Sequence, residues 1–130
     1  EGASALAAVL KETMITNLNL ASNQLCGLDF RGRGTYTAEG ITKLCEGLKG
    51  SSLTSLNLAA NQLCGIDLFG HGTYTADGII KLCEGLKGSA VTSLNLECNG
   101  IGAEGATALT AVLNETKITN LKLKWNSLND

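Results

Sequence analysis

The residues of this chain whose types and spacing could do chemistry are its cysteines, its one histidine and a pair of glycine-rich stretches. Cys26, Cys45, Cys64 and Cys83 follow one another at intervals of 19 residues, with Cys98 outside the series. Thiolates ligate zinc, but structural zinc sites pair close-set cysteines or add histidines. Here there is no Cys-x-x-Cys, and His71 is the only histidine, so no metal is expected. Spacing alone leaves a Cys26–Cys64 disulfide open. The odd total of five favours reduced thiols and a cytoplasmic setting.

The segment Asp29-x-x-Gly32-x-Gly34-x-Tyr36 has the outline of a calcium loop. Such a loop needs oxygen ligands at its third and fifth positions and a bidentate acid at its twelfth. Those positions hold Arg31, Arg33 and Gly40, and Phe69, His71 and Gly78 in a second copy. Asp29 and Asp67 therefore read as turn caps. No Ser/His/Asp, Cys/His or paired-carboxylate set recurs, so neither an enzyme nor a cofactor is expected.

The elements that would hold these residues come from a repeat. Residues 15–52 and 53–90 agree at 28 of 38 positions, and shorter relatives of the same unit begin at Val91 and Ile118. Self-similarity at such a period marks a stacked array. Each unit opens alike: Ile15-x-x-Leu18-x-Leu20-x-x-Asn23-x-Leu25, Leu53-x-x-Leu56-x-Leu58-x-x-Asn61-x-Leu63, Val91-x-x-Leu94-x-Leu96-x-x-Asn99-x-Ile101 and Ile118-x-x-Leu121-x-Leu123-x-x-Asn126-x-Leu128. Alternating leucines predict a short strand with one buried face. The asparagines follow where the chain must turn, and an amide that both donates and accepts can satisfy the turn's backbone groups.

The spacing then changes to that of a helix. Ile41, Leu44, Cys45 and Leu48 lie at i, i+3, i+4 and i+7, as do Ile79, Leu82, Cys83 and Leu86, and Ala106, Leu109, Thr110 and Leu113. Thr37 and Thr75 are the expected N-caps and Gly50 and Gly88 the expected stops. Cys45 and Cys83 occupy the place of Ala7 and Thr110, which predicts small buried side chains there.

A strand with the pattern L-x-x-L-x-L-x-x-N-x-L followed by an amphipathic helix resembles the leucine-rich repeat. The 27-residue unit 91–117, with Ile101-Gly102-Ala103-Glu104-Gly105-Ala106, resembles its ribonuclease-inhibitor-like subclass. The resemblance implies an α/β, right-handed solenoid with a parallel concave sheet and convex helices. It divides the chain into the helix of a partial repeat (1–14), repeats 15–52, 53–90 and 91–117, and a partial repeat 118–130. Solenoids need polar caps, and the expectation is a fragment of a longer array.

The 38-residue units carry 11 extra residues, 26–36 and 64–74, with three glycines in each. Beside the conservative Leu28/Ile66, three differences between the copies gather there: Phe30/Leu68, Arg31/Phe69 and Arg33/His71. Exposed arginines and aromatics suit a partner interface, so Arg31, Arg33, Phe69 and His71 are candidate contacts. The other candidates lie on the strand face turned from the core. That face is expected to include Ala21, Ser22, Ala59, Ala60 and Cys98 as strand positions. Asn19, Asn57 and Asn95 are expected to stack as a ladder or to bind, and Glu97, Lys122, Lys124 and Trp125 form a polarised end.

A net charge of −2 provides no basic stripe for nucleic acid, and no apolar run reaches membrane-spanning length. The function expected is a protein–protein interaction or scaffold module using the concave sheet and inserted loops. The alternative is a structural subunit fixed within a larger assembly that covers the uncapped ends.

Overall fold

Leu18, Leu56, Leu94 and Leu121 each stand between two polar residues, and each becomes the inward residue of a three-residue strand. In the computed structural model, which describes residues 2–28, 34–66 and 71–126 (side chains from Ala5 onward), helices and strands alternate. The order is α1 (Gly2–Glu12), β1 (Asn17–Asn19), α2 (Glu39–Leu48), β2 (Ser55–Asn57), α3 (Asp77–Leu86), β3 (Ser93–Asn95), α4 (Gly102–Leu113) and β4 (Asn120–Lys122). The four strands form one parallel sheet in sequence order. Its register follows the repeat: Leu18 faces Leu56, Leu56 faces Leu94, and Leu94 faces Leu121. The arrangement is α/β and compatible with a repeat solenoid.

The core lies between sheet and helices. Leu53, Leu56, Leu58 and Leu63 from one unit meet Ile79, Leu82 and Leu86 from α3, all fully buried. Each such side chain contributes roughly 1.5–3 kcal/mol relative to exposure. Ile41, Leu44, Cys45 and Leu48 are buried as their helical spacing predicts.

Adjacent helices approach closely because small residues face each other. A Cβ on Gly47 would strike the Ala7 backbone, and one on Gly85 would strike the Cys45 side chain. Thr110 departs from its expected burial: it is exposed, and its hydroxyl donates to the Ala106 carbonyl at 2.8 Å. Among the described elements α4 packs on α3 alone, so its other flank meets solvent.

The helix ends are also adjusted. Thr37 and Thr75 do accept from the first helical N–H groups, of Glu39 at 3.1 Å and Asp77 at 3.2 Å. They stand one residue ahead of the N-cap positions, which Ala38 and Ala76 occupy. Gly50 (φ +77) ends α2 through a left-handed turn, whereas Gly88 does not use that conformation.

Candidate functional site

Three groups of side chains meet where each strand turns towards its helix, and the hydrogen bonds show which are structural. The first is the asparagine ladder. Asn99 Oδ1 accepts from the N–H groups of Asn61 (3.0 Å) and Leu63 (3.2 Å), one unit back. Its Nδ2 donates to the carbonyls of Leu58, Leu96 and Glu97 at 2.9–3.2 Å. Asn61 and Asn126 repeat this pattern against their preceding units. Their amides satisfy backbone groups that the turn would otherwise orphan.

The second group lines the sheet's outer face. Asn19, Asn57 and Asn95 do not ladder through the bonds seen here. Each Oδ1 accepts from the N–H two residues along its own unit: Ala21 at 3.0 Å, Ala59 at 2.9 Å and Glu97 at 2.9 Å. These are local Asx turns. The strands stop at these positions, so Ala21, Ser22, Ala59, Ala60, Glu97, Cys98, Lys124 and Trp125 belong to turns rather than to the strand grid expected. Ser22, Ala60, Cys98 and Trp125 all sit in left-handed backbone, φ +58 to +64. Asn57, Asn95 and Glu97 are half-buried; Lys122 and Lys124 are exposed, and Trp125 is 71% exposed.

The third group is the stem of each insert. Leu28 pairs antiparallel with Gly34, and Ile66 with Gly72. The Thr37 N–H donates to the Cys26 carbonyl at 3.0 Å, and Thr75 to Cys64 at 2.9 Å, so each insert leaves and returns at one closed base. Gly27 and Gly34 are in left-handed backbone (φ +82 and +118), and a Cβ on either would collide with opposing carbonyls.

Tyr36 ties this stem to the next unit: its hydroxyl donates to the Leu63 carbonyl at 2.6 Å and is bonded by the Gly78 backbone at the start of α3. Tyr74 repeats the device, donating to the Ile101 carbonyl at 2.6 Å and accepting from the Gly105 N–H at 3.1 Å. The tyrosines recur in both copies, but their role is visible only once the units are stacked. Of the proposed insert contacts, His71 is exposed beside the stem, whereas Arg31, Arg33 and Phe69 lie outside the described residues, as do Asp29 and Asp67.

The thiols belong to the interior. All five are free; Cys26, Cys45, Cys64 and Cys83 are buried and Cys98 is half-buried. Burial pushes the Cys26 thiol from its usual 9.0 up to about 11, against a smaller downward pull from its bond to Tyr36. Burial likewise raises Cys45 and Cys64 to about 12, and Cys83 to about 11. A protonated, enclosed thiol is a poor nucleophile and a poor metal ligand.

On the helix side an open groove of about 520 Å³ runs between α2 and α3, lined by Lys11, Lys49, Lys81, Glu46 and Glu84 among others. Its charges are mixed. No helix among the described residues is long and apolar enough to cross a membrane. No protein-family model matches the chain, and no curated protein is significantly similar to it.

Proposed function

We propose that the chain is a protein-interaction module on a leucine-rich-repeat frame of the ribonuclease-inhibitor-like kind. In this reading the array is a right-handed solenoid and the outer sheet face is its concave side. Support for the frame comes from the in-register parallel sheet and the stacked Asn61, Asn99 and Asn126. The observation that carries the binding reading is a division of roles on that face: Asn19, Asn57 and Asn95 are engaged in local Asx turns, while Lys122, Lys124 and Trp125 stand exposed. A rigid surface needs little ordering on binding, which favours affinity. The inserts, fastened at their stems by Tyr36 and Tyr74, would add Arg31, Arg33, Phe69 and His71 to the contact. No catalytic role is assigned.

Affinity capture with the wild-type chain, Lys122→Ala/Trp125→Ala, Arg31→Ala/Phe69→Ala and the helix-side control Lys81→Ala/Glu84→Ala tests this. Loss of a captured protein in either of the first two pairs, but not in the control, supports the reading. Equal capture by all four chains sinks it.

A structural subunit is the second reading. It is favoured by the outer strands, where Leu18 and Leu121 are only half-buried although Leu56 and Leu94 are 1% exposed. Gel filtration over a range of concentrations separates the two, because a stable monomer contradicts an obligate subunit.

A further inference from the structure

Two positions on the fourth unit, Lys122 and Trp125, depart from residue types that serve the fold in the first three, and Lys124 lies between them. Where Asn19, Asn57 and Asn95 close an Asx turn, the fourth unit has Lys122, paired in register with Asn95. Lysine has no acceptor, so the Lys124 N–H loses the bond that Ala21, Ala59 and Glu97 keep. Where the left-handed turn position holds Ser22, Ala60 and Cys98, the fourth unit places Trp125 at φ +64. Small side chains tolerate that conformation better than a bulky one does. Between them, Lys124 stands where the earlier units have Ala21, Ala59 and Glu97. None of the three is drawn into the core: all are exposed. Local stability is given up at Lys122 and again at Trp125, close together on one patch of surface.

The charge of that patch is one-sided. Residues 117–126 contain Lys117, Lys122 and Lys124 and no acid, in a chain of net charge −2. Glu115, the acid just before them, turns to Lys87 at 3.8 Å. Glu97 lies one unit back, where the Cys98 N–H meets the Lys124 carbonyl at 3.1 Å, and forms the inner border of the patch. Resting on the interaction reading above, we propose that Lys122, Lys124 and Trp125 form a docking site for an acidic protein segment, one that carries an apolar residue beside its carboxylates. The lysines take the carboxylates and the indole face takes the apolar side chain.

Trp125 is the only tryptophan, so its fluorescence reports on this site alone. The full chain is titrated with a capped hexapeptide of four glutamates and two leucines, with counterparts carrying serine or lysine for glutamate, and with an oligothymidine. The acidic peptide should change the emission saturably, and more weakly as salt rises. Lys122→Asn/Lys124→Ala should weaken it about fivefold or more. Separately, Lys122→Asn and Trp125→Gly should each raise the melting temperature, the first by restoring the Asx acceptor and the second by relieving the left-handed turn.

The proposal is overturned if the acidic peptide leaves the emission unchanged, if the serine peptide does as well, or if only the nucleic acid binds. It is overturned equally if both single substitutions lower the melting temperature, since the side chains would then serve the fold. Silence in the titration combined with capture that depends on Arg31 and Phe69 would remove this site while leaving the interaction reading in place.

Discussion

At the scale of the residue, Asn99 shows how much of the frame rests on one amide. It accepts two N–H groups from the preceding unit and donates to three carbonyls, all in a turn closed to solvent. Asn99→Ala orphans these groups together and should lower stability by roughly 3–5 kcal/mol. Asn23 is exposed, and its amide donates to the Ala21 carbonyl at 3.1 Å, so Asn23→Ala should cost under about 1 kcal/mol. Urea unfolding of the two variants checks the contrast, and equal losses would contradict the ladder.

The buried thiols set a pH limit. Because the folded value for Cys64 is raised from 9.0 to about 12, the native chain keeps a proton that the unfolded chain has released. That contribution is fully present below pH 9.0 and is lost as pH rises towards 12. Stability should therefore fall across this alkaline window, less steeply in Cys64→Ala, as denaturant midpoints at several pH values would show. The asparagine role was legible because residue type and place recur four times. The left-handed turn at Ser22, Ala60, Cys98 and Trp125 was not, because none of these is glycine and only the stacked backbone imposes the conformation.

At the scale of the element, the inserts are fastened rather than draped. Tyr36 spans from the stem of one insert to the carbonyl of Leu63 and the first turn of α3, where Gly78 leaves room for its hydroxyl. Tyr36→Phe keeps the ring packing and removes the bond, a loss of about 1–2 kcal/mol. Gly78→Ala places a Cβ against the Tyr36 hydroxyl and the Leu63 carbonyl and should cost at least as much. Made together they should cost less than their sum, since both disrupt one contact. Strict additivity in chemical denaturation would mean that Tyr36 and Gly78 do not meet.

The helices themselves could be read in advance from Ile41, Leu44, Cys45 and Leu48, which are buried as their spacing requires. The stem could not. Its pairing depends on Gly27 and Gly34 meeting at the base of the insert, and glycine content alone does not reveal that. The Leu-x-Leu pattern predicts a longer strand than forms: it runs past Asn19 and Lys122 alike, but all four strands stop there as the backbone turns, with or without an Asx bond.

At the scale of the molecule, each described helix and strand packs among its own kind only on its neighbours in the stack, so stability should grade along it rather than act all at once. The Leu58 N–H, bonded to the Asn95 carbonyl at 2.9 Å, lies between two covered strands. The Leu20 N–H makes a similar bond to Asn57, at 2.8 Å, but belongs to the outer strand's unit, where Leu18 is half-buried. Hydrogen exchange should therefore be slowest at Leu58 and faster at Leu20, whose bond opens when the first unit frays. Identical exchange free energies at both sites would show a single cooperative unit instead.

The same measurement tests how far a ligand on the fourth unit is felt. The Leu96 and Cys98 N–H groups bond to the carbonyls of Lys122 and Lys124, so an acidic peptide held there should slow both. Nearest-neighbour coupling makes that protection fade towards Leu58 and vanish at Leu20. A change that reached Leu20 undiminished would require the stack to respond as one body, which short strands joined only through adjacent units give no means of doing.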